Sequence, residues 1–340
     1  MRLGGWMRAA VASIAVVALG ASCSSGGSHP APAHPAPPVA VSATTPSAGS
    51  PPPVGAAGAP ACGNARPHAP GQTTETFAVA GSERTYVVSV PDSYRGDRPV
   101  PLVFEFHGFG SNGMQQLLYG NFGPEAQRDG FIVVAPDGQG SGGGRHFNLL
   151  GSAGEADDVA FTLTLLDRLE ASLCVDAKRV YATGMSDGGG MTSVLACRAA
   201  DRFAAFGSVA LVFHLPGCTP GRPVPIVAFH GTDDPIVPFA GGPVHCCGGA
   251  SVPDVPGTMV AWAAQDRCSG TPDETMLSAM VLRRSWSGCA GTSAVVLYAI
   301  QGGGHTWPGT AFSFGALGVT THEIDASQTL WDFFRAHPLA

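Results

Sequence analysis

Four short segments of this chain carry residue types that together can attack and cleave a carbonyl compound. Gly184-Met185-Ser186-Asp187-Gly188 follows the apolar run Val180-Tyr181-Ala182 and precedes a helix-like stretch. Small residues on both sides of a serine allow a sharp strand-to-helix turn that lifts the hydroxyl above a sheet. In a chain with 47 glycines the pattern alone is weak. The strand before it, the helix after it and Gly189-Gly190 give it weight. His107-Gly108-Phe109-Gly110 closes a second apolar run, Leu102-Val103-Phe104-Glu105-Phe106. Backbone N–H groups in such a loop can hold the negative oxygen that forms when a nucleophile adds to a carbonyl. Phe109 and Asp187, the residue after the serine, are the candidate donors.

The remaining two segments supply an acid and a base. In His230-Gly231-Thr232-Asp233-Asp234-Pro235-Ile236-Val237-Pro238 either aspartate could orient a histidine and stabilise its cation. The His-Gly-x-x-Asp spacing favours Asp234. Gly302-Gly303-Gly304-His305-Thr306-Trp307-Pro308 places flexible backbone before His305, the candidate general base. Trp307 is a candidate wall of the substrate site, with plain core packing as the alternative. His107 is assigned to the same region, as a histidine that braces its loop rather than one that moves protons. Asp158 precedes the serine and opens a helix together with Glu155 and Asp157, where negative charge is favoured, so it is read as structural.

These residues need a frame. Arg84–Val90, Pro101–Phe106, Phe131–Ala135, Arg179–Thr183, Ala205–Leu211, Pro225–His230 and Ala294–Ile300 read as strands. Between them Glu155–Leu173 places Val159, Leu163, Leu166 and Leu169 on one helical face. A second helix starts near Gly188, and Leu330, Trp331, Phe333 and Phe334 stripe a last one. Strands alternating with helices imply a mostly parallel sheet covered on both faces. Ligands bind such sheets at the carboxyl ends of the strands, where all four segments fall. The order Ser186, Asp234, His305 is that of α/β hydrolases.

The ends differ from this pattern. Arg2 and Arg8, an apolar run from Ala9 to Ala21 and a small-residue end describe an export signal over residues 1–22. The run is too short to span a bilayer. Leu19-Gly20-Ala21-Ser22-Cys23 is similar to a lipobox, which would make Cys23 a lipidated first residue and allow membrane attachment by a lipid anchor. Residues 23–60 are rich in Pro, Ala, Ser and Gly and read as a tether. The catalytic domain is expected over 61–340. Nine cysteines less Cys23 leave an even set for disulfides in an exported chain. Cys268–Cys289 is the favoured bridge, and Cys246 and Cys247 are expected to reach two different partners, with a strained vicinal bridge as the alternative. No cysteine sits in a nucleophile turn, and His245-Cys246-Cys247 lacks a second cluster at zinc spacing, so no metal or other cofactor is implied. A net charge of −7 with 18 basic residues excludes nucleic-acid binding by charge.

Gly184-Met185-Ser186-Asp187-Gly188-Gly189, His230–Pro238 and Gly303-Gly304-His305-Thr306-Trp307-Pro308-Gly309 resemble the secreted polyhydroxybutyrate depolymerase and feruloyl esterase family. That group includes LpqC-like lipoprotein esterases and belongs with carbohydrate esterase family one. The resemblance runs from about Gly71 to Pro338, and Ala135-Pro136-Asp137-Gly138 and Asp157-Asp158-Val159-Ala160-Phe161 also fit it. It implies an α/β-hydrolase fold with Ser186, Asp234 and His305 as triad. Gly140–Arg145 departs from the pattern by its glycine content. Gly248–Pro256 is a variable stretch.

The leading expectation is an exported or cell-envelope serine esterase acting on a polyester, an oligoester or an acylated polysaccharide, most like a poly(3-hydroxybutyrate) depolymerase. A feruloyl or acetylxylan esterase is the alternative. An envelope acyltransferase and a catalytically dead surface-binding module are the further ones.

Overall fold

The computed structural model describes Cys62 and residues 66–140, 144–152, 154–246 and 250–340. The expected signal, Cys23, the tether and Cys247 lie outside the described residues. In chain order, β1 (Gly71–Val79) and β2 (Ser82–Val90) form a hairpin, and β3 (Val100–Phe106) leads into α1 (Gly113–Gly120) and α2 (Gly123–Asp129). Next come β4 (Ile132–Pro136), α3 (Asp158–Ser172), β5 (Val175–Met185), α4 (Asp187–Arg198), β6 (Ala205–Val209) and β7 (Ile226–Gly231). A small pair, β8 (Gly242–Pro243) with β9 (Ser251–Val252), precedes α5 (Val255–Gln265). The chain ends with the hairpin β10 (Ser269–Met276) and β11 (Val281–Ser287), then β12 (Val295–Ile300) and α6 (Ala326–Ala336).

Ten strands share one sheet in the order β1-β2-β4-β3-β5-β6-β7-β12-β11-β10. From β4 to β12 the pairing is parallel. The antiparallel hairpins β1–β2 and β10–β11 extend it at the two edges. The parallel strands are buried along most of their length, the start of β5 excepted, because helices cover both faces. Leu102, Phe104 and Phe106 of β3 join the core under α3, α4 and α5, with Phe161, Leu165, Met191, Val194, Met259 and Trp262. Val103 points the other way, into the layer of α1, α2 and α6 with Leu117, Ala126, Leu330, Trp331 and Phe334. Period-two alternation along each strand thus feeds two separate cores.

On that second face β3 also buries Glu105, which is 0% exposed. Its Oε1 accepts from Gln116 Nε2 at 2.9 Å, and Oε2 has no partner among the described residues. Burial raises this carboxyl to about 8, against a smaller opposing effect of the Gln116 bond. At neutral pH it is held as the neutral acid.

Disulfides join Cys62 to Cys174, Cys197 to Cys218 and Cys268 to Cys289. The last is the favoured bridge of the sequence reading. Among the described residues the six other cysteines pair with one another, so the expectation that Cys246 bridges one of them is corrected. Cys246 is itself disulfide-bonded. No described helix is long and apolar enough to cross a membrane.

The helix expected at Glu155–Leu173 is α3, but its cap is Asp157, whose side chain accepts from Ala160 N–H at 2.9 Å. Asp158 is turned inward. It is salt-bridged to Arg84 at 2.6 Å with both side chains buried, and it accepts the N–H of Asn148 at 2.7 Å.

Candidate active site

Ser186 sits between β5 and α4 with φ 55 and ψ −120, a strained conformation for a residue with a side chain. The close packing around it explains the glycines. A Cβ on Gly188 would overlap the carbonyl oxygen of Phe106, and one on Gly108 would lie 3.4 Å from Cβ of Ser186. The β3 loop and the serine turn are therefore in contact. The Ser186 N–H donates to Val209 O at 2.8 Å, which ties the turn to the end of β6. Asp187 is the first residue of α4, where an N–H has no acceptor within the helix. Its carboxyl accepts from Phe147 N–H at 2.7 Å. Burial raises that carboxyl to about 7, with the Phe147 bond opposing.

Asp234 and His305 meet at the ends of β7 and β12, which are parallel neighbours. The loops are stitched together by Asp233 N–H on Gly303 O at 3.0 Å and Thr232 N–H on Ile300 O at 2.9 Å. His305 Nδ1 lies 2.8 Å from Asp234 Oδ2. Oδ1 of the same carboxylate accepts the N–H groups of Ile236 and Val237, both at 2.8 Å. A carboxylate can only accept, so His305 carries its proton on Nδ1 and leaves the Nε2 lone pair for a substrate or nucleophile proton. Burial alone would raise the Asp234 carboxyl, but its bonds with His230 and His305 outweigh this and hold it far below the usual range. Asp233 is exposed, and its carboxylate accepts from Thr232 Oγ1 at 3.2 Å.

The structure thus brings Asp234 and His305 together. Ser186 Oγ makes no hydrogen bond to either among the described residues; its strand β5 is separated from β7 by β6.

Two placements correct the substrate-side assignment of Trp307 and His107 and leave their alternatives, core packing and a loop brace. Trp307 is 1% exposed and packs edge-on to Phe122 at 6.2 Å, with Nε1 donating to Ser327 Oγ at 3.0 Å. It is a core residue and offers no wall to a substrate. His107 is 0% exposed, so it cannot touch a substrate either. Its Nε2 accepts Gly138 N–H at 2.9 Å, which leaves Nδ1–H to donate to Gly108 O at 2.7 Å. Burial lowers its pKa to about 4, so the ring is a neutral brace. The sequence reading missed His230, whose Nε2 donates to Val237 O at 2.9 Å and lies 3.4 Å from Asp234 Oδ2. Its signal was the first letter of His-Gly-x-x-Asp. Among the described residues no group of three His, Cys, Asp or Glu could hold a metal ion.

Known proteins resemble this chain in sequence and in fold. Residues 85–217 match a family model described as Esterase PHB depolymerase. Feruloyl esterase B of Piromyces equi is 31% identical over 229 residues, 65% of this chain and 42% of that protein. Feruloyl esterase C of Emericella nidulans is 35% identical over 197 residues, 56% of this chain and 67% of that protein. The chain thus spans only 42% of the first relative's length. Among solved structures, acetyl xylan esterase from Aspergillus awamori superposes with a TM-score of 0.54 at 15% identity, over 78% of this chain and 99% of the other.

A parallel sheet flanked by helices, with its polar loops gathered at the strand ends, defines the α/β-hydrolase class. Within that class, the chain belongs to the polyhydroxybutyrate depolymerase and feruloyl esterase family.

Proposed function

We propose that this protein is an exported serine esterase that cleaves acyl groups esterified to plant polysaccharide. The observation that carries the catalytic part is the buried Asp234–His305 pair, 2.8 Å apart, in a chain that also holds Ser186 in a strained strand-to-helix turn. In this reading His305 Nε2 takes the Ser186 proton as Oγ adds to the ester carbonyl. The N–H groups of Phe109 and Asp187 receive the oxyanion, and collapse of the adduct expels the alcohol, which takes its proton from His305. Water, deprotonated by His305, then adds to the acyl-enzyme and releases the acid. The names of the feruloyl esterase relatives support the substrate class.

Short poly(3-hydroxyalkanoate) esters are the second reading, favoured by the description of the matching family model. The disulfides favour an oxidising compartment and so support export; lipidation at Cys23 is part of the same proposal. Methyl ferulate, acetylated xylan and polyhydroxybutyrate offered to the purified protein separate the substrates. Turnover of methyl ferulate or acetylated xylan is expected. Turnover of polyhydroxybutyrate alone would reverse the order of the two readings. Release of free acid against transfer to an added alcohol tests the acyltransferase alternative.

A further inference from the structure

The two proposed oxyanion donors come from distant parts of the chain. Phe109 belongs to the loop after β3, and Asp187 to the first turn of α4. Three consecutive residues between β4 and α3 touch both sides. The carbonyl of Arg145 accepts the N–H of Gly110 at 2.7 Å, next to Phe109. The ring of His146 stacks on that of Phe109 with centroids 5.9 Å apart. Phe147 donates its N–H to Asp187 Oδ2 at 2.7 Å, and its ring packs edge-on to Phe106 at 5.3 Å and against His107 at 4.8 Å.

The segment is fixed at both ends. Before it, Gly138 N–H is held by His107 Nε2 and His146 N–H by Gln139 O, at 2.9 and 2.8 Å. After it, Asn148 N–H is held at 2.7 Å by Asp158, the partner of Arg84. A carboxylate in a first helical turn commonly bonds N–H groups of its own helix. Asp187 instead bonds the backbone of a segment 40 residues earlier in the chain.

We propose that Asp187 is a positioning residue whose side chain clamps the Arg145–Phe147 segment, and that this segment fixes the distance between the Phe109 and Asp187 N–H groups. The proposal rests on the serine-esterase reading of the site. Negative charge on the carbonyl oxygen develops only on the way to the tetrahedral adduct, so misplaced donors lower kcat and leave substrate binding almost unchanged.

The test compares Asp187→Ala, Asp187→Asn and Asp187→Ser in the full chain with p-nitrophenyl butyrate, together with inhibition by a short alkyl boronic acid as tetrahedral analogue. Asn keeps an acceptor oxygen at the same reach and is expected to recover most of the kcat that Ala loses. Ala is expected to lose about 10- to 100-fold in kcat with KM changed less than about threefold. The boronate inhibition constant should rise in parallel. If the Ala variant does not fold, Ser carries the same expectation, because it keeps a polar group at the helix start but is too short to reach Phe147. Parent-like kcat in Ala or Ser, a loss confined to KM or thermal stability, or a failure of Asn to restore kcat would overturn the clamp. Ser186→Ala is run alongside. Full activity there removes the esterase reading itself, whereas an inactive Ser186→Ala beside an unaffected Asp187→Ala removes only the clamp.

Discussion

Asp234 divides its two carboxylate oxygens between two tasks: Oδ2 faces His305 Nδ1 at 2.8 Å, while Oδ1 takes the N–H groups of Ile236 and Val237. The backbone bonds fix the carboxylate, and the carboxylate fixes the imidazole and its tautomer. Asp234→Asn is therefore expected to lower kcat for p-nitrophenyl butyrate by about 10³- to 10⁴-fold, since an amide can present an N–H to the ring and favour the wrong tautomer. Asp233→Asn, on an exposed side chain, should stay within about threefold. Steady-state kinetics on the two variants decide between the adjacent aspartates.

Glu105 makes a pH prediction. Its carboxyl, raised to about 8 by burial, binds a proton in the folded chain that the unfolded chain has released above about 4.3. The stabilising contribution is full below the unfolded value and is lost as pH rises through the folded one. Between pH 5 and 8 this one group contributes a downward slope of at most about 1.4 kcal/mol per pH unit to stability. Glu105→Gln, which cannot ionise, should flatten the urea-unfolding free energy across that window relative to the parent.

The placement of Trp307 separates packing from recognition. With the indole buried against Phe122 and bonded to Ser327, Trp307→Ala should destabilise the fold by about 3–5 kcal/mol. Trp307→Phe should lower the melting temperature while KM for small esters stays within about twofold. A large rise in KM without loss of stability would return Trp307 to the substrate site.

The Cys62–Cys174 bridge closes a separation of 112 residues and ties the start of the folded unit to the chain just before β5. Replacing both cysteines by serine should cost about 2–5 kcal/mol, read by denaturant unfolding without reductant. An unchanged midpoint would show that this end of the chain is held by other contacts.

The parallel strands were legible because a strand covered on both faces must be apolar along its length, as Ile226-Val227-Ala228-Phe229 is. The hairpin β10–β11 gave a weaker signal. Most of Ser269–Met276 is exposed at a sheet edge, so its pairing leaves little hydrophobic pattern. Helix α1 is eight residues long and begins and ends in glycine, which hides it among loop signals. The reactive residues were legible as local spacings, because each lies within a few residues of its own turn. What the sequence did not show depends on distant partners: Arg84 with Asp158, Phe147 with Asp187, Trp307 with Ser327. Local motifs carry no information on such pairs, and so the sequence left Trp307 open between substrate wall and core, and read His107 as a loop brace without showing that it is buried.

The central claim is that Ser186 is the nucleophile activated by His305. The most direct measurement is a mass-spectrometric map of the protein after treatment with a fluorophosphonate, with turnover of p-nitrophenyl butyrate followed in parallel. The account predicts a single adduct on Ser186, loss of turnover in step with labelling, and neither labelling nor turnover in Ser186→Ala. An unlabelled Ser186 in active protein, or turnover retained by Ser186→Ala, would contradict it.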